Sequence, residues 1–344
     1  MLSGMQLEDG WRVVERIGSV AGGTGGSFST PYVVERDGQR AFLKAIDFTR
    51  ALGDRDPTAA LEQLTRIFND ERELVRTCGE HRMRNVVVGI TDGVVNVPGG
   101  GAVPQVSYMI FELADGDIRR AMSLSTALDG AWIFGALKQV ALGIGQLHSA
   151  GIAHQDVKPS NVVTFETVFK LADLGRASVR GGSSAHDELE CAGDPAYVTP
   201  EQMYHFRLEN WDARRRSIDL YHLGSLMLFL LSGVNASAAL VAHLDPAHRP
   251  PPSGHWGGTF DEVLVHLREA NGRIVDEFPV FTDSAIRDIA IARYLELCDP
   301  DPRVRGHPKN RVGLSNPYSV ERYVSYFNAL GARSQRELVR LTHG

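Results

Sequence analysis

Residues 154–161 read His-Gln-Asp-Val-Lys-Pro-Ser-Asn, and Asp173-Leu174-Gly175 follows after two strand-like stretches. Together they set a carboxylate (Asp156), an ammonium (Lys158), a carboxamide (Asn161) and a second carboxylate (Asp173) at the spacing used for phosphoryl transfer. Such chemistry asks little covalent work of a protein; positioning and charge stabilisation carry it. The oxygen donors are hard ligands and suit Mg2+, which keeps water and phosphate in its shell.

Two residues upstream belong with this set. Lys44 lies on an alternating stretch, Arg-Ala-Phe-Leu-Lys-Ala-Ile at 40–46, that reads as a strand. A helix is expected from about Pro57 to Thr77, with the apolar stripe Leu61, Leu64, Phe68 and Val75. Glu71 falls on that stripe, three residues after Phe68 and four before Val75. A carboxylate aimed inward needs a partner, because an unpaired buried charge is costly, and Lys44 is the natural one. Glu73 falls off the stripe and reads as a solvated residue.

The composition narrows the rest. The chain has 344 residues, 43% of them hydrophobic, enough for one large two-lobed unit or two modest domains. Its net charge of −6 gives no global field for nucleic acid, and the run Arg214-Arg215-Arg216 reads as a solvated face. Three cysteines (Cys78, Cys191, Cys298) without metal spacing argue for a reducing compartment and no disulfide framework. The first residues lack the apolar core of a signal peptide. The most apolar run, Ile218 to Val234, carries Asp219 and His222 and reads as a buried core helix, not a membrane span. A cytoplasmic protein is expected. Lysines are few (Lys44, Lys138, Lys158, Lys170 and Lys309), and two of these five fall in the motifs above.

The elements that must position these groups read as follows. Strands are expected at 11–18, 31–36, 40–46, 85–90 and 106–112, with a hairpin turn at Asp37-Gly38 and a Gly/Pro-rich turn at 97–104. From Asp117 the pattern is mostly helical. An amphipathic helix spans 131–149, and short strands follow at 161–165 and 168–172. Helices are expected at 217–232, 259–270, 284–297 and 318–329, and residues 235–258, with their Arg249-Pro250-Pro251-Pro252 run, read as loop. A β-rich first third followed by helices suggests two lobes and a cleft.

On these motifs the chain resembles a serine/threonine protein kinase of the eukaryotic type, over roughly residues 10 to 310. Leu147-His148 and Gly151-Ile152 also stand where that family has them. The resemblance implies an α+β, protein-kinase-like bilobal fold. After a lead at 1–10 come a small β-rich N-lobe with one regulatory helix (11–113), a larger helical C-lobe (114–310) and a helical tail at 311–344 packed on that lobe. The implied activity is transfer of the ATP γ-phosphoryl group to a Ser or Thr hydroxyl of a protein, with Mg2+ and with the chain itself as a further acceptor. Asp156 would act as base. Lys158 would neutralise charge on the transferred group, Asn161 and Asp173 would hold the metal, and Lys44 would reach the α and β phosphates. Lys158 favours a Ser/Thr kinase over a tyrosine kinase and over antibiotic-type small-molecule kinases. At 108–117 the resemblance implies a hinge. Phe111 would narrow the pocket, the backbone groups of Glu112 and Ala114 would pair with adenine, and Asp117 would meet the ribose. Asp194 to Glu201 resembles the segment that closes the activation loop. Glu201 would pair with Arg303 or Arg305, and Asp219 would hold the catalytic-loop backbone. The arginine-rich, lysine-poor composition and compact chain suggest a bacterial source.

Three departures from the family pattern stand out. The glycine-rich loop, from Gly18 through Gly22, Gly23 and Gly25 to Phe28, can approach phosphates closely but fits no single register. Gln155 replaces the arginine usual before the catalytic aspartate, which removes one cationic partner for a loop phosphate. Asp194 stands where a threonine is usual, near both Asp156 and Lys158, so each carboxylate would shift the other's pKa. The irregular loop and Asp194 support a rival reading as a pseudokinase-like nucleotide-binding scaffold, and a small-molecule kinase is the third.

Overall fold

The computed structural model describes residues 2–18, 29–98, 104–123, 129–182, 194–312 and 316–343. Strand β1 (Arg12–Arg16) pairs antiparallel with β2 (Ser29–Arg36), and β2 with β3 (Gln39–Ile46). The β2–β3 turn is the expected one: Asp37 (φ 50) and Gly38 (φ 78) both take positive φ, as a two-residue hairpin with strand-like twist requires. On β3 the side chains alternate. Ala41, Leu43 and Ala45 are buried on one face of the sheet, and Phe42 and Lys44 face the other way.

After the short helix α1 (Thr49–Leu52) comes α2 (Pro57–Glu80). Its start is fixed by Pro57 in the first turn and by Asp56, whose carboxylate accepts from the Ala59 amide at 3.1 Å. Its buried residues are Leu64, Phe68, Glu71, Leu74 and Cys78, so Glu71 is a member of the inward stripe. The sheet is completed by β4 (Gly89–Asn96) and β5 (Gln105–Glu112) in the order β1-β2-β3-β5-β4. Apolar side chains including Ile46, Leu64, Phe68, Met109 and Phe111 pack between sheet and helix.

Strand β4 differs from the expected 85–90. Val86 makes only a single bridge to Leu171, and the strand runs on through Gly93. Gly93 lies beyond the expected strand. In the fold it is demanded by packing, since a Cβ there would lie 2.5 Å from the Tyr108 hydroxyl.

The second lobe starts with β6 (Gly116–Asp117), α3 (Ile118–Ser123) and α4 (Gly130–Ser149). The short strands β7 (Ile152–Ala153), β8 (Val162–Phe165), β9 (Val168–Leu171) and β10 (Ser178–Val179) frame the candidate site. Then follow α5 (Pro200–Met203), α6 (Ser217–Ser232), α7 (Ala236–His243), α8 (Phe260–Arg273), α9 (Ser284–Leu297) and α10 (Glu321–His343). Helix α7 lies in the stretch expected to be loop. Asn235 caps it by accepting from the Ala238 amide at 2.8 Å. Helix α10 packs along α4 through Tyr323, Phe327 and Leu330, and is about twice the expected length.

Helix α6 is buried almost all round. Among the described residues no single helix is long and apolar enough to cross a membrane. Only Asp212–Ser232 and Ala236–His243 together reach that mark, across an 83° bend.

Candidate active site

Lys44 leaves β3 toward α2, and both oxygens of Glu71 accept from its Nζ, at 2.7 and 2.8 Å. Glu71 is 3% exposed, so the pairing inferred from the helical stripe is present in a buried setting. Asp173 Oδ1 accepts from the same ammonium at 2.9 Å. Burial alone would depress an ammonium, yet Asp173 and Glu71 hold Lys44 well above its ordinary value. The Lys44 charge in turn holds the Asp173 carboxyl well below the usual range, against the cost of burial. Asp173 adopts a left-handed backbone (φ 65).

The loop from His154 to Asn161 hangs on a buried carboxylate. Asp219, at the start of α6, accepts from the amides of His154 and Gln155 at 2.8 Å each and contacts His148 Nε2 at 2.8 Å. Burial opposes its ionisation, but His148 and the loop amides keep it below the ordinary range. His154 Nε2 reaches the Ala172 carbonyl at 3.1 Å, which ties this loop to the strand end preceding Asp173.

Within the loop, Asn161 Nδ2 donates to the Asp156 backbone oxygen at 2.8 Å and to its Oδ2 at 3.0 Å. Lys158 Nζ lies 3.2 Å from the same Oδ2 and donates to Asp194 Oδ2 at 3.0 Å. The Asp194 amide donates to Asp156 Oδ1 at 3.4 Å. The two carboxylates therefore share one ammonium between them. Burial pushes the Asp194 carboxyl up, but the Ala196 amide and Lys158 outweigh it and hold it low. Arg176 Nε stands 4.0 Å from Asp156 Oδ2, a neighbour that sequence reasoning did not place there.

The expected nucleotide-side residues are placed as follows. Phe111 and Glu112 end β5. The Glu112 carboxylate is held by Lys170 Nζ at 2.7 and 2.8 Å and by the Val88 amide at 2.8 Å, and its own amide donates to the Val88 carbonyl at 3.2 Å. Ala114 lies in the linker between β5 and β6. Asp117 is engaged locally: it pairs with Arg119 at 2.6 Å and accepts from the Arg119 and Arg120 amides at 2.9 and 3.3 Å. Gly18 follows β1, and a Cβ there would meet nothing within 4 Å. Gly22, Gly23 and Gly25 lie outside the described residues.

The donor set fits a hard divalent cation that takes most of its shell from water and phosphate. Asn161 uses its Nδ2 on Asp156, so its Oδ1, which accepts from Ser160 Oγ at 3.4 Å, is the atom it could offer a cation, and Lys44 takes only Oδ1 of Asp173. Among the described residues no group of three or more His, Cys, Asp and Glu side chains forms a protein-only metal cage.

Around this core, two expectations are sharpened and one is corrected. Glu201 pairs with Arg305, not Arg303, at 2.8 and 2.6 Å, and Arg305 is fully buried. Arg303 is used by Asp301 and Asp261 instead. The Gln155 side chain turns inward: its Nε2 donates to the Arg215 carbonyl at 2.8 Å, and Arg215 Nη1 donates back at 3.3 Å. The run Arg214-Arg215-Arg216 is accordingly not a solvated face. Arg215 and Arg216 are 3% and 7% exposed, and Arg216 pairs with Asp212 at 3.0 Å and with the His148 carbonyl. Of Ser178, Ser183, Ser184 and Thr199, readable as loop phosphorylation sites, Ser178 and Thr199 are 1% and 0% exposed, and Ser183 and Ser184 lie outside the described residues. Ser178 accepts from Trp211 Nε1 at 3.0 Å.

Comparison with known proteins agrees with this geometry. The protein kinase domain model matches residues 31–240. A probable serine/threonine-protein kinase of Dictyostelium discoideum is 27% identical over 64% of this chain and 44% of its own length. Mitogen-activated protein kinase p38b of Drosophila melanogaster is 27% identical over 77% of this chain and 72% of its own. Serine/threonine-protein kinase PknL of Mycobacterium tuberculosis is 30% identical over 37% and 31%. The chain thus spans less than half the length of the first of these relatives. The family model covers well over half of the chain, on the same stretch that carries Lys44, Glu71, Asp156, Lys158, Asn161, Asp173 and Asp219, and the chain belongs to the protein kinase domain family.

Proposed function

We propose that the chain is a serine/threonine protein kinase that transfers the γ-phosphoryl group of ATP to a protein hydroxyl, with Mg2+ as its metal. The observation that carries this reading is the intact polar chain from Glu71 through Lys44 to Asp173, beside an Asp156 held by Asn161 and Lys158. Among the described residues Asp156 Oδ2 is met by two donors, whereas Oδ1 receives the long contact from the Asp194 amide. Oδ1 is therefore the oxygen that accepts the proton of the acceptor hydroxyl. Lys158, 3.2 Å from the base, offers its positive charge to the group in transfer. Lys44 is kept charged by two carboxylates and supplies the second cation, for the phosphates that remain. When bound between Asn161 and Asp173, Mg2+ supplies charge neutralisation of the phosphate oxygens. Hinge residues Glu112 and Ala114 offer backbone groups to adenine, and the glycines from Gly18 to Gly25 approach the phosphates.

Asp194 favours one second reading, because its carboxylate already holds the Lys158 ammonium. A scaffold that keeps nucleotide but transfers nothing is the form this would take. Labelled ATP offered with the protein alone, with a generic Ser/Thr peptide and with a panel of small alcohols separates the readings. Mg2+-dependent label on peptide Ser or Thr is expected. Label on no acceptor supports the scaffold, and label on an alcohol supports a small-molecule kinase.

A further inference from the structure

The turn that leads into α6 grips two segments at once. Residues Asp212–Arg216 are wound as a single π turn, a distortion frequent at functional sites. From this turn Arg215 meets Gln155, the residue before Asp156, and Arg216 donates to the His148 carbonyl. Those contacts hold the catalytic loop. Trp211 and Asp212 meet the chain that follows Asp173. Trp211 Nε1 donates to Ser178 Oγ at 3.0 Å, and Asp212 pairs with Arg180. The guanidinium carbons of Arg180 and Arg216 lie 5.4 and 5.8 Å from the centre of the Trp211 ring, both within cation–π reach. Arg216 Nε also lies 3.0 Å from the Asp212 carboxylate. One ring and one carboxylate therefore join an arginine of the turn to an arginine of the segment after Asp173.

The held segment is short. Ser178 and Val179 form β10, which pairs with Ala153 and Ile152 of β7, directly ahead of His154. The Arg180 amide donates to the Gly151 carbonyl at 2.8 Å. A two-stranded ladder of this length is marginal by itself. Ser178 stands five residues after Asp173, and Leu174 and Ala177 between them are buried. A shift of β10 would therefore be felt at Asp173, while Asp156 stays with a loop bound to Asp219 and Arg215. Gln155 is uncharged and cannot grip a loop phosphate, and the ties to Trp211 and Asp212 need none.

Resting on the kinase reading above, we propose that Arg180 and Trp211 are positioning residues for phosphoryl transfer. They latch the chain after Asp173 to the turn that holds the catalytic loop, and so keep Asp173 and Asp156 in register without a phosphate. Transfer from ATP with Mg2+ to a Ser/Thr peptide is measured at steady state on the phosphatase-treated full chain. Arg180→Gln should lower kcat about ten-fold and leave KM for ATP within about two-fold, since a misplaced group costs alignment more than ground-state binding. Arg180→Lys keeps a cation beside Asp212 and should restore kcat to within about three-fold of wild type. Trp211→Leu loses both the ring and the Nε1 donor and should match Arg180→Gln. The double variant should be no slower than the slower single one, as for residues that act as a unit. The Arg180 side chain is 49% exposed, so its variants raise no question of folding.

Hydrogen exchange gives a reading without turnover. Amides of 177–180 should exchange about ten-fold faster in Arg180→Gln, with those of 217–232 unchanged. An unchanged kcat in Arg180→Gln, no recovery in Arg180→Lys, unchanged exchange at 177–180, or a wild type that phosphatase treatment silences overturns the latch and leaves the kinase reading standing. A wild type that transfers to no acceptor, treated or untreated, overturns the kinase reading and this inference with it.

Discussion

Replacing Glu71 and Lys44, singly and together, probes the buried ion pair that anchors the nucleotide side. Both Glu71 oxygens accept from Lys44 Nζ, at 2.7 and 2.8 Å, and the carboxylate is 3% exposed. Glutamine keeps the shape and one acceptor but loses the charge. A hydrogen bond to a charged group is worth about 1.5–3 kcal/mol. Lys44 retains Asp173 at 2.9 Å in that variant, so it is not left without a partner. Glu71→Gln should therefore lower kcat/KM by roughly ten-fold to a hundred-fold, at about 1.4 kcal/mol per decade.

Lys44→Met is the harsher change. It leaves Glu71 and Asp173 facing each other with no cation, and breaking a buried pair from one side typically costs about 3–5 kcal/mol. Burial already pushes the Glu71 carboxyl up, so in this variant it should take a proton. The double variant should then be more stable than Lys44→Met alone, because it no longer buries an unmatched carboxylate. Urea unfolding gives the stabilities and steady-state kinetics with ATP the rates. Effects that add to within about 0.5 kcal/mol would refute the claim that the two act as one unit.

The remaining expectations are these. Asp173→Ala should abolish the stabilisation that ATP with Mg2+ gives the wild type, which at a hundred-fold excess over Kd is about 2.7 kcal/mol; an unchanged thermal shift would remove Asp173 from the metal site. Asp194→Thr should leave kcat equal or higher, because a hydroxyl can donate to Asp156 and accept from Lys158, whereas the ionised Asp194 side chain only accepts. A strong fall in kcat across pH would instead make Asp194 part of the catalytic set. Phosphatase treatment should alter the rate by less than about ten-fold, since Gln155 is committed to Arg215 and, of the candidate sites Ser178, Ser183, Ser184 and Thr199, Ser178 and Thr199 are enclosed. Mass spectrometry of the untreated protein should find neither of the two modified.

What the sequence made legible was local. The loop from His154 to Asn161, Asp173, and the helical stripe that carries Glu71 are each set by spacings of a few residues, and each stands where those spacings imply. Pairings between distant segments were not legible to the same degree. Arg303 and Arg305 are equivalent in sequence, and only the fold buries one beneath Glu201 while the other joins Asp261. Arg215 and Arg216 read as solvated because their partners, Gln155, Asp212 and the His148 carbonyl, come from other parts of the chain. Strand β4 runs past the expected 85–90 through Gly93, and the reason for a glycine there, the Tyr108 hydroxyl, comes from the neighbouring strand. Helix α7 was hidden by the proline run after it, although Asn235 ahead of an apolar stretch was a usable cap signal.

Asp156→Asn tests the central claim most directly. Asparagine keeps the shape of the side chain, which Asn161 and Lys158 hold in place at 3.0 and 3.2 Å, but it cannot take a proton from an acceptor hydroxyl. Label transfer from ATP to a Ser/Thr peptide should fall on the order of 10²–10⁴-fold, as for loss of a general base. ATP affinity, for which Lys44 and Asp173 are the proposed contacts, should stay within about two-fold of wild type. Full transfer by the purified variant would contradict the assignment of Asp156 as the base.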